Sequence, residues 1–350
     1  MTRRIRVGIL SFAHYHATFW SEAFRDSPLA DFVGIWDDDR ARGEEAGRRY
    51  GVPFWPELDA LLAACEAVGV TSETAEHRRL IEAAARRGRH ILCEKPLATT
   101  LEDCERIARV VTETGVTFVQ SFPKRFDPAN HELRRMVQAG ELGRIALVRV
   151  RHGHFHGLDP AFTRGWWVDP ARSGGGALLD EGSHAADFVR WLFGEPESVT
   201  ATTSGSALGL PVEDTAVAVF RFPGGLLAEV ATSWAFTAAD NSVELYGTGG
   251  TAVLSGVDLA SRDLTEGAFL KMYRAGQKRR WTVSPIVPRF KTGGFHHQNP
   301  LRFLDALHEG TRPAVTLEDG RRAVEMILAA YRAAETGQRQ PIPPPAPTRP

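Results

Sequence analysis

Two stretches of this 350-residue chain carry side chains suited to moving a proton beside a bound molecule. The first is His90-Ile91-Leu92-Cys93-Glu94-Lys95-Pro96-Leu97. Its apolar start predicts a buried strand, which puts Lys95 at the carboxyl end, where an open α/β sheet holds its ligands. A compact ammonium there can donate to a substrate hydroxyl and lower its pKa. Pro96 fixes the chain direction just after it. A solvated lysine at a strand end is the plain alternative. Of 42 basic residues only Lys95, Lys124, Lys271, Lys278 and Lys291 are lysine, which leaves 37 arginines. A general bias toward Arg accounts for the skew, yet Lys95 is the one lysine before residue 124.

The second stretch is Ser173-Gly174-Gly175-Gly176-Ala177-Leu178-Leu179-Asp180-Glu181-Gly182-Ser183-His184-Ala185-Ala186-Asp187. Three glycines let backbone approach a ligand closely. Asp180, His184 and Asp187 follow at helical spacing and share one face. An imidazole is the natural group for taking a hydroxyl proton near neutral pH, and a nearby carboxylate can orient it. A helix start with Asp180 as cap and a structurally satisfied His184 explains the same residues.

A third candidate lies at the N-terminus. After the apolar run Ile5–Leu10 comes Ser11-Phe12-Ala13-His14-Tyr15-His16. A strand, a tight turn and a helix are what a dinucleotide-binding fold uses for pyrophosphate. Ser11, Ala13 and His16 stand where G-x-G-x-x-G has glycine, so Ser11, Phe12 and Ala13 are the candidate cofactor contacts. His14 and His16 read equally well as helix-start residues facing solvent. The next strand ends in Asp37-Asp38. An acid at that tip can accept hydrogen bonds from the adenosine ribose and repels a 2′-phosphate, and no Arg follows immediately. NAD is therefore favoured over NADP.

The elements that must position these residues alternate over the first 121 residues. Strands are predicted at Ile5–Leu10, Asp31–Trp36, Ala67–Thr71, His90–Cys93 and Thr117–Ser121. Helices lie between them at His16–Arg25, Arg40–Tyr50, Glu57–Cys65, Ala75–Arg87 and Leu101–Thr114. This order predicts a doubly wound parallel sheet, an α/β Rossmann domain over residues 1–122. Beyond it a helix (Ala129–Ala139), a strand (Ile145–Arg151) and a helix near Gly182–Phe193 lead into strand runs separated by turns. These predict an α+β second domain over residues 123–340, with a large open, mostly antiparallel sheet. Helices at Pro300–His308 and Leu317–Thr336 are placed within it. Residues 341–350 hold six prolines and predict an extended tail outside the core.

Composition narrows the function classes. The net charge is −1, so the basic excess expected of a nucleic-acid or anionic-membrane binder is missing. No apolar run is long enough for a membrane span. The start MTRRIRVGIL lacks the features of a secretory signal. Cys65, Cys93 and Cys104 form neither a disulfide framework nor a metal motif, which points to a reducing, cytoplasmic setting.

Together these motifs resemble the glucose–fructose oxidoreductase/inositol dehydrogenase/MocA (Gfo/Idh/MocA) family of NAD(P)-dependent oxidoreductases, over about residues 3–340. Glu94-Lys95-Pro96 and Asp180-x-Gly182-x-His184-x-x-Asp187-x-x-x-Trp191 carry most of the likeness. Phe118–Pro128, Val212–Thr215, Tyr246–Gly250 and Ala329–Tyr331 add to it. The resemblance implies a catalytic set of Lys95, Asp180 and His184, with His184 as acid/base and Lys95 polarising the substrate oxygen. It also implies cofactor contacts from Ser72, His77, Glu94, Lys95 and Arg125. A homodimer or homotetramer formed through the second domain's sheet is expected as well. Two departures stand out: the glycine fingerprint is replaced, and the usual Thr-Pro-Asn after the strand Ala67–Thr71 reads Ser72-Glu73-Thr74.

His152, His154 and His156 alternate in a strand-like run and should share a face. No carboxylate or Cys lies near them in sequence to complete a metal set, so no metal is expected. Substrate contact, with His154 foremost, is the preferred role. Trp166 and Trp167 can wall a sugar face or pack in a core, and Trp167 is the substrate candidate. His296-His297 can reach the cleft or merely begin a helix. The function expected is NAD-dependent hydride transfer at a hydroxyl or carbonyl carbon of a sugar, polyol (inositol-like) or related compound. A redox-neutral, NAD-using glycosidase-like enzyme and a non-catalytic NAD- or sugar-sensing regulator are the alternatives.

Overall fold

The computed structural model describes residues 3–237, 241–256, 268–276 and 281–345. They form two compact units, one of residues 1–123 and 296–321, the other of 124–295 and 322–350.

The first unit alternates β1 (Ile5–Leu10), α1 (His16–Asp26), β2 (Ala30–Trp36), α2 (Arg40–Tyr50), α3 (Leu58–Ala64), β3 (Ala67–Val70), α4 (His77–Arg86), β4 (His90–Cys93), α5 (Leu101–Thr114) and β5 (Phe118–Gln120). The strands pair in parallel in the order β2-β1-β3-β4-β5. Strand β1 therefore lies between β2 and β3, the point at which the winding reverses. The crevice outside the carboxyl ends of β1 and β3 is where such sheets bind ligands. The strands are short apolar runs because both faces are covered by helices. Trp20 and Phe24 of α1 lie fully buried among Val7, Ile9 and Ala67. Gly69 makes this fit possible, since a Cβ there would come within 2.9 Å of both Trp20 and Ile9.

The second unit contains α6 (Pro128–Gln138), β6 (Ile145–Gly153), the single-turn helices α7 (Pro160–Thr163) and α8 (Pro170–Ser173), and α9 (Ala177–Phe193). Strands β7 (Ser198–Ser204), β8 (Thr215–Arg221), β9 (Leu227–Ser233), β10 (Val243–Gly247), β11 (Gly250–Leu254), β12 (Leu270–Arg274) and β13 (Thr282–Ser284) follow. The chain ends through α10 (Arg289–Thr292), α11 (Gln298–Glu309), α12 (Leu317–Thr336) and β14 (Gln340–Pro341). The nine-stranded sheet runs β13-β12-β11-β10-β6-β9-β8-β7-β14. All its pairings are antiparallel except β6 with β9. Helix α9 buries Leu178, Ala185, Phe188 and Val189 in the same core as Val148 and Val230 of the sheet.

Three sequence expectations change. Helix α9 begins at Ala177, five residues before the expected Gly182, because the chain turns helical directly after the glycine run. Helix α11 belongs to the first unit rather than to the second domain: Phe303 and Leu304 join the core of Trp20 and Phe24. The proline-rich end is not wholly a tail. Gln340 and Pro341 pair with β7, Ile342 is buried, and its N–H donates to Glu197 O. Proline is tolerated there because β14 is an edge strand. Residues 346–350 lie outside the described residues. Among the described residues no helix is long and apolar enough to cross a membrane.

Candidate active site

In the first unit the turn after β1 sits at the reversal point. Ser11 holds φ +74°, the one positive φ of a non-glycine residue among those described. The serine thus keeps the backbone shape that a glycine fingerprint supplies. Its neighbours hold it there: Thr71 Oγ1 donates to Ser11 O at 2.7 Å, and the Ala13 N–H donates to Ser11 Oγ at 3.2 Å. His14 and His16 are each only 2% exposed, which removes the solvent-facing reading. The His14 N–H donates to Thr71 O, and the His16 N–H to His14 Nδ1. His296 is drawn in as well, its ring 4.0 Å from that of His16 and 5.0 Å from that of Phe19.

This turn fits a dinucleotide. It stands at the reversal point with the left-handed residue in place. The Ala13 N–H meets the uncharged Ser11 Oγ and the His16 N–H the uncharged His14 Nδ1, acceptors that a phosphate oxygen outcompetes. Ser11, Phe12 and Ala13 are the residues that would hold it.

Asp37 stands at the tip of β2 as expected, but it is not open to a ribose. It accepts from the Phe12 N–H at 2.7 Å, the Asp39 N–H at 2.9 Å and the Arg42 guanidinium at 2.9 and 2.6 Å. Sequence reading weighed only the positions directly after Asp37. The fifth, one turn into α2, reaches back.

Lys95 follows β4 and is 4% exposed. Glu94 beside it is fully buried. Its Oε1 accepts the Lys95 N–H, and its Oε2 lies 3.2 Å from His16 Nδ1. Burial pushes the Glu94 carboxyl up, but His16 and Lys95 outweigh it and hold the group below its ordinary value. His77 braces the loop from behind. Its Nδ1 meets Pro96 O at 3.0 Å and Leu97 O at 3.3 Å, and its Nε2 meets Ser72 O at 3.3 Å. Burial lowers the His77 pKa, against the opposing pull of Glu94 and of these carbonyls. The Ser72 hydroxyl bonds Glu73 O. His77 and Ser72 thus hold the Lys95 loop together.

In the second unit Asp180 and Glu181 open α9 and His184 follows one turn later. Asp180 Oδ2 accepts from Trp234 Nε1 at 2.9 Å. His152 Nε2 lies 3.1 Å from Glu181 Oε2, and His154 Nε2 lies 3.5 Å from Glu181 Oε1 and 3.9 Å from Asp180 Oδ2. The His152 and His184 rings meet edge-on at 5.1 Å. The expectation that no carboxylate attends the histidine run is therefore overturned: β6 and α9 pack together and bring Asp180 and Glu181 to it. Beside this polar set lie aromatic rings. Phe162 stacks on Trp167 at 5.5 Å and meets Trp234 at 5.0 Å, and Trp167 stacks on the buried Trp166 at 3.9 Å.

Two residue groups, His14/His16/Glu94 and His154/Asp180/Glu181, place three ligand-type atoms within 4.8 Å of one another. In each, the first histidine accepts a backbone N–H at Nδ1, from His16 and His156 respectively. A neutral His154 ring so held carries its proton on Nε2, which faces Glu181 Oε1.

The glycine run differs from expectation, and Arg125 has a partner in the protein. Gly176 makes room for the chain itself: a Cβ would lie 1.9 Å from Glu213 O. Glu213 accepts from the Gly176 and Leu178 N–H groups and from Tyr331 Oη. Arg125 donates from Nε and Nη2 to Asp187, a contact the sequence did not show. Sequence reasoning also passed over Glu181 and Lys124. Lys124 is buried, with its ammonium 5.4 Å over the Phe188 ring, and burial pushes its pKa down to about 8. Its rarity in an arginine-rich chain was the available signal.

Comparisons with known proteins agree with this architecture. Residues 5–122 match the model of the oxidoreductase family with an NAD-binding Rossmann fold, and residues 130–253 match the GFO/IDH/MocA C-terminal domain. The chain is 30% identical over 316 residues to inositol 2-dehydrogenase 2 of Saccharopolyspora erythraea, covering 87% of this chain and 85% of that protein. It is 29% identical over 279 residues to 1,5-anhydro-D-fructose reductase of Ensifer adhaerens, covering 79% and 80%. Among solved structures, GenD2 from gentamicin A biosynthesis, in complex with NAD, superposes with a TM-score of 0.82 at 26% identity, covering 98% and 97%. With its dinucleotide fold, its Glu-Lys-Pro strand end and its Asp-x-x-x-His helix, this chain belongs to the Gfo/Idh/MocA family of oxidoreductases.

Proposed function

We propose that the protein catalyses NAD-dependent interconversion of a secondary hydroxyl and a carbonyl on a sugar, an inositol-like polyol or a related polyhydroxy compound. One observation carries the substrate class. In the second unit, two carboxylates and two imidazoles stand beside the stacked rings of Phe162 and Trp167. Hydroxyl groups call for such donors and acceptors, and the apolar face of a sugar ring calls for an aromatic wall. The sugar and inositol activities named for the relatives point the same way.

The roles follow from the residue chemistry. Lys95 donates a hydrogen bond to the reacting oxygen and stabilises its developing negative charge. His184 takes the hydroxyl proton in the oxidative direction and returns it in the reductive one. Asp180, anchored by Trp234, supplies the negative charge that favours a protonated imidazole. His154 and Trp167 contact the substrate. The bound nicotinamide accepts or gives the hydride. Ser11, Phe12 and Ala13 hold its pyrophosphate, and Glu94 and the loop braced by Ser72 and His77 line its nicotinamide side.

We place the protein in the cytoplasm, where its three buried free cysteines stay reduced. A homodimer or homotetramer through the nine-stranded sheet accords with exposed Val217, Leu227 and Tyr246 on its strands. Light scattering tests the assembly. The activity test incubates the protein with NAD and a panel of aldoses, inositols and other polyols, and follows reduced-nicotinamide absorbance. Turnover of at least one member is expected. Bound cofactor with no turnover on any member would shift the reading to the redox-neutral or sensing alternative.

A further inference from the structure

We propose that Glu181 is a positioning residue for His184, acting through His152: it fixes the tautomer of the ring that His184 packs against and sets the charge beside the acid/base. The inference rests on His184 being the acid/base of the proposed reaction. In the pattern Asp180-x-Gly182-x-His184, Glu181 fills a position to which the family likeness assigns no role. The two neighbouring carboxylates serve different partners. Asp180 Oδ2 accepts from Trp234 Nε1 at 2.9 Å. Both oxygens of Glu181 turn to β6 instead, Oε2 lying 3.1 Å from His152 Nε2 and Oε1 3.5 Å from His154 Nε2.

An ionised carboxylate only accepts, so the two facing nitrogens carry protons. His154 is held to that state, because its Nδ1 takes the His156 N–H at 3.1 Å. For His152 the same logic puts the proton on Nε2 and makes Nδ1 the accepting nitrogen, on a ring 5.1 Å from that of His184. The side chains of Glu181, His152 and His154 are each no more than 8% exposed. A carboxylate so buried stays ionised only where donors and positive charge hold it. Two imidazoles and the nearby Lys124 ammonium supply both. His156 and Asp159 follow β6, with Asp180 and Glu181 acting on His156. Asp187, one turn beyond His184, is matched by Arg125. Glu181 is thus a negative charge joined to His184 through a single ring. A Glu181 that merely tied β6 to α9 would leave the titration of His184 untouched.

The test is histidine-selective nitrogen NMR of the full-length protein, with the His152 and His184 signals identified by their loss in His152→Asn and His184→Asn. Neutral His152 in the wild type should show the Nε2–H tautomer. Glu181→Gln should lower the midpoint of the His184 titration by about one pH unit, because a negative charge that favours the imidazolium is gone. Glutamine also offers one acceptor where Glu181 offers two, and His154 is held to its tautomer, so the Nε2–H form of His152 should lose ground. Glu181→Asp keeps the charge and should recover most of the midpoint. In kinetics on an active polyol, Glu181→Gln should lower kcat by about tenfold or more and change KM by less than about threefold. An Nδ1–H His152 in the wild type, or a His184 midpoint that Glu181→Gln leaves in place, would overturn this inference and leave the proposed reaction standing. Titrations that move as expected in a protein that binds NAD but turns over no polyol would uphold the coupling and overturn the proposed reaction instead.

Discussion

Arg125 and Asp187 form a buried two-point ion pair, Nε to Oδ2 at 2.9 Å and Nη2 to Oδ1 at 2.5 Å, that ties the segment preceding α6 to the middle of α9. Neither partner is more than 7% exposed. Breaking such a pair strands one charge in the interior. Asp187→Ala should therefore lower unfolding free energy by about 3–5 kcal/mol. The Arg125→Met/Asp187→Leu double variant should recover most of that loss, because an apolar pair of similar volume removes both charges together. Denaturant melts of the wild type and the two variants measure it. A single variant that unfolds like wild type would show that the pair carries no structural weight.

Lys95→Arg keeps the positive charge but replaces a compact ammonium with a larger planar group. The residue is nearly buried against Glu94, so the extra volume has nowhere to go. Turnover should fall by about a hundredfold or more, as for loss of a positioned acid/base partner. His184→Asn should lower kcat by about 10²–10⁴-fold and flatten the pH–rate profile. Steady-state kinetics on whichever polyol proves active decide both, and near-normal kcat in either variant would remove that residue from the mechanism.

Ser11 occupies backbone space that favours glycine. Ser11→Gly should relieve about 1 kcal/mol of left-handed strain. The same change removes the Oγ that holds the Ala13 N–H and meets Arg42. Thermal melts should show the net as a small stabilisation in the absence of cofactor. A clear drop in melting temperature would mean that the hydroxyl's bonds outweigh the strain.

Lys124 gives a pH signature. Burial pushes its pKa down to about 8, against an ordinary value of about 10.4 in the unfolded chain. Between these values the unfolded chain binds more protons than the native one, so this group makes stability rise with pH across roughly pH 8 to 10. Below that window the charged, buried amine is a constant cost of about 3 kcal/mol. Lys124→Met should raise stability at pH 7 and flatten the slope above pH 8. Melts of both proteins at pH 7, 8, 9 and 10 provide the comparison; an identical slope in the two would rule out Lys124 as its source.

The sequence by itself determined what is local. Apolar periodicity marks β1 to β5 and their helices within a residue or two, and the motifs around Lys95 and His184 carry the family likeness. It missed β12, β13 and β14, where the runs are short. It could not determine partners separated by long stretches of chain. Glu181 meets His152 and His154 only because β6 and α9 pack together. Arg125 finds Asp187 across 62 positions, Glu213 finds Tyr331 across 118, and α11 joins a core formed almost 280 residues earlier. Asp37 shows both limits within five residues. Its place at a strand tip was legible, but whether its carboxylate stays open or is covered by Arg42 depends on the direction in which one turn of helix sends a side chain. Periodicity fixes which face a residue takes, and only packing in three dimensions decides what it meets there.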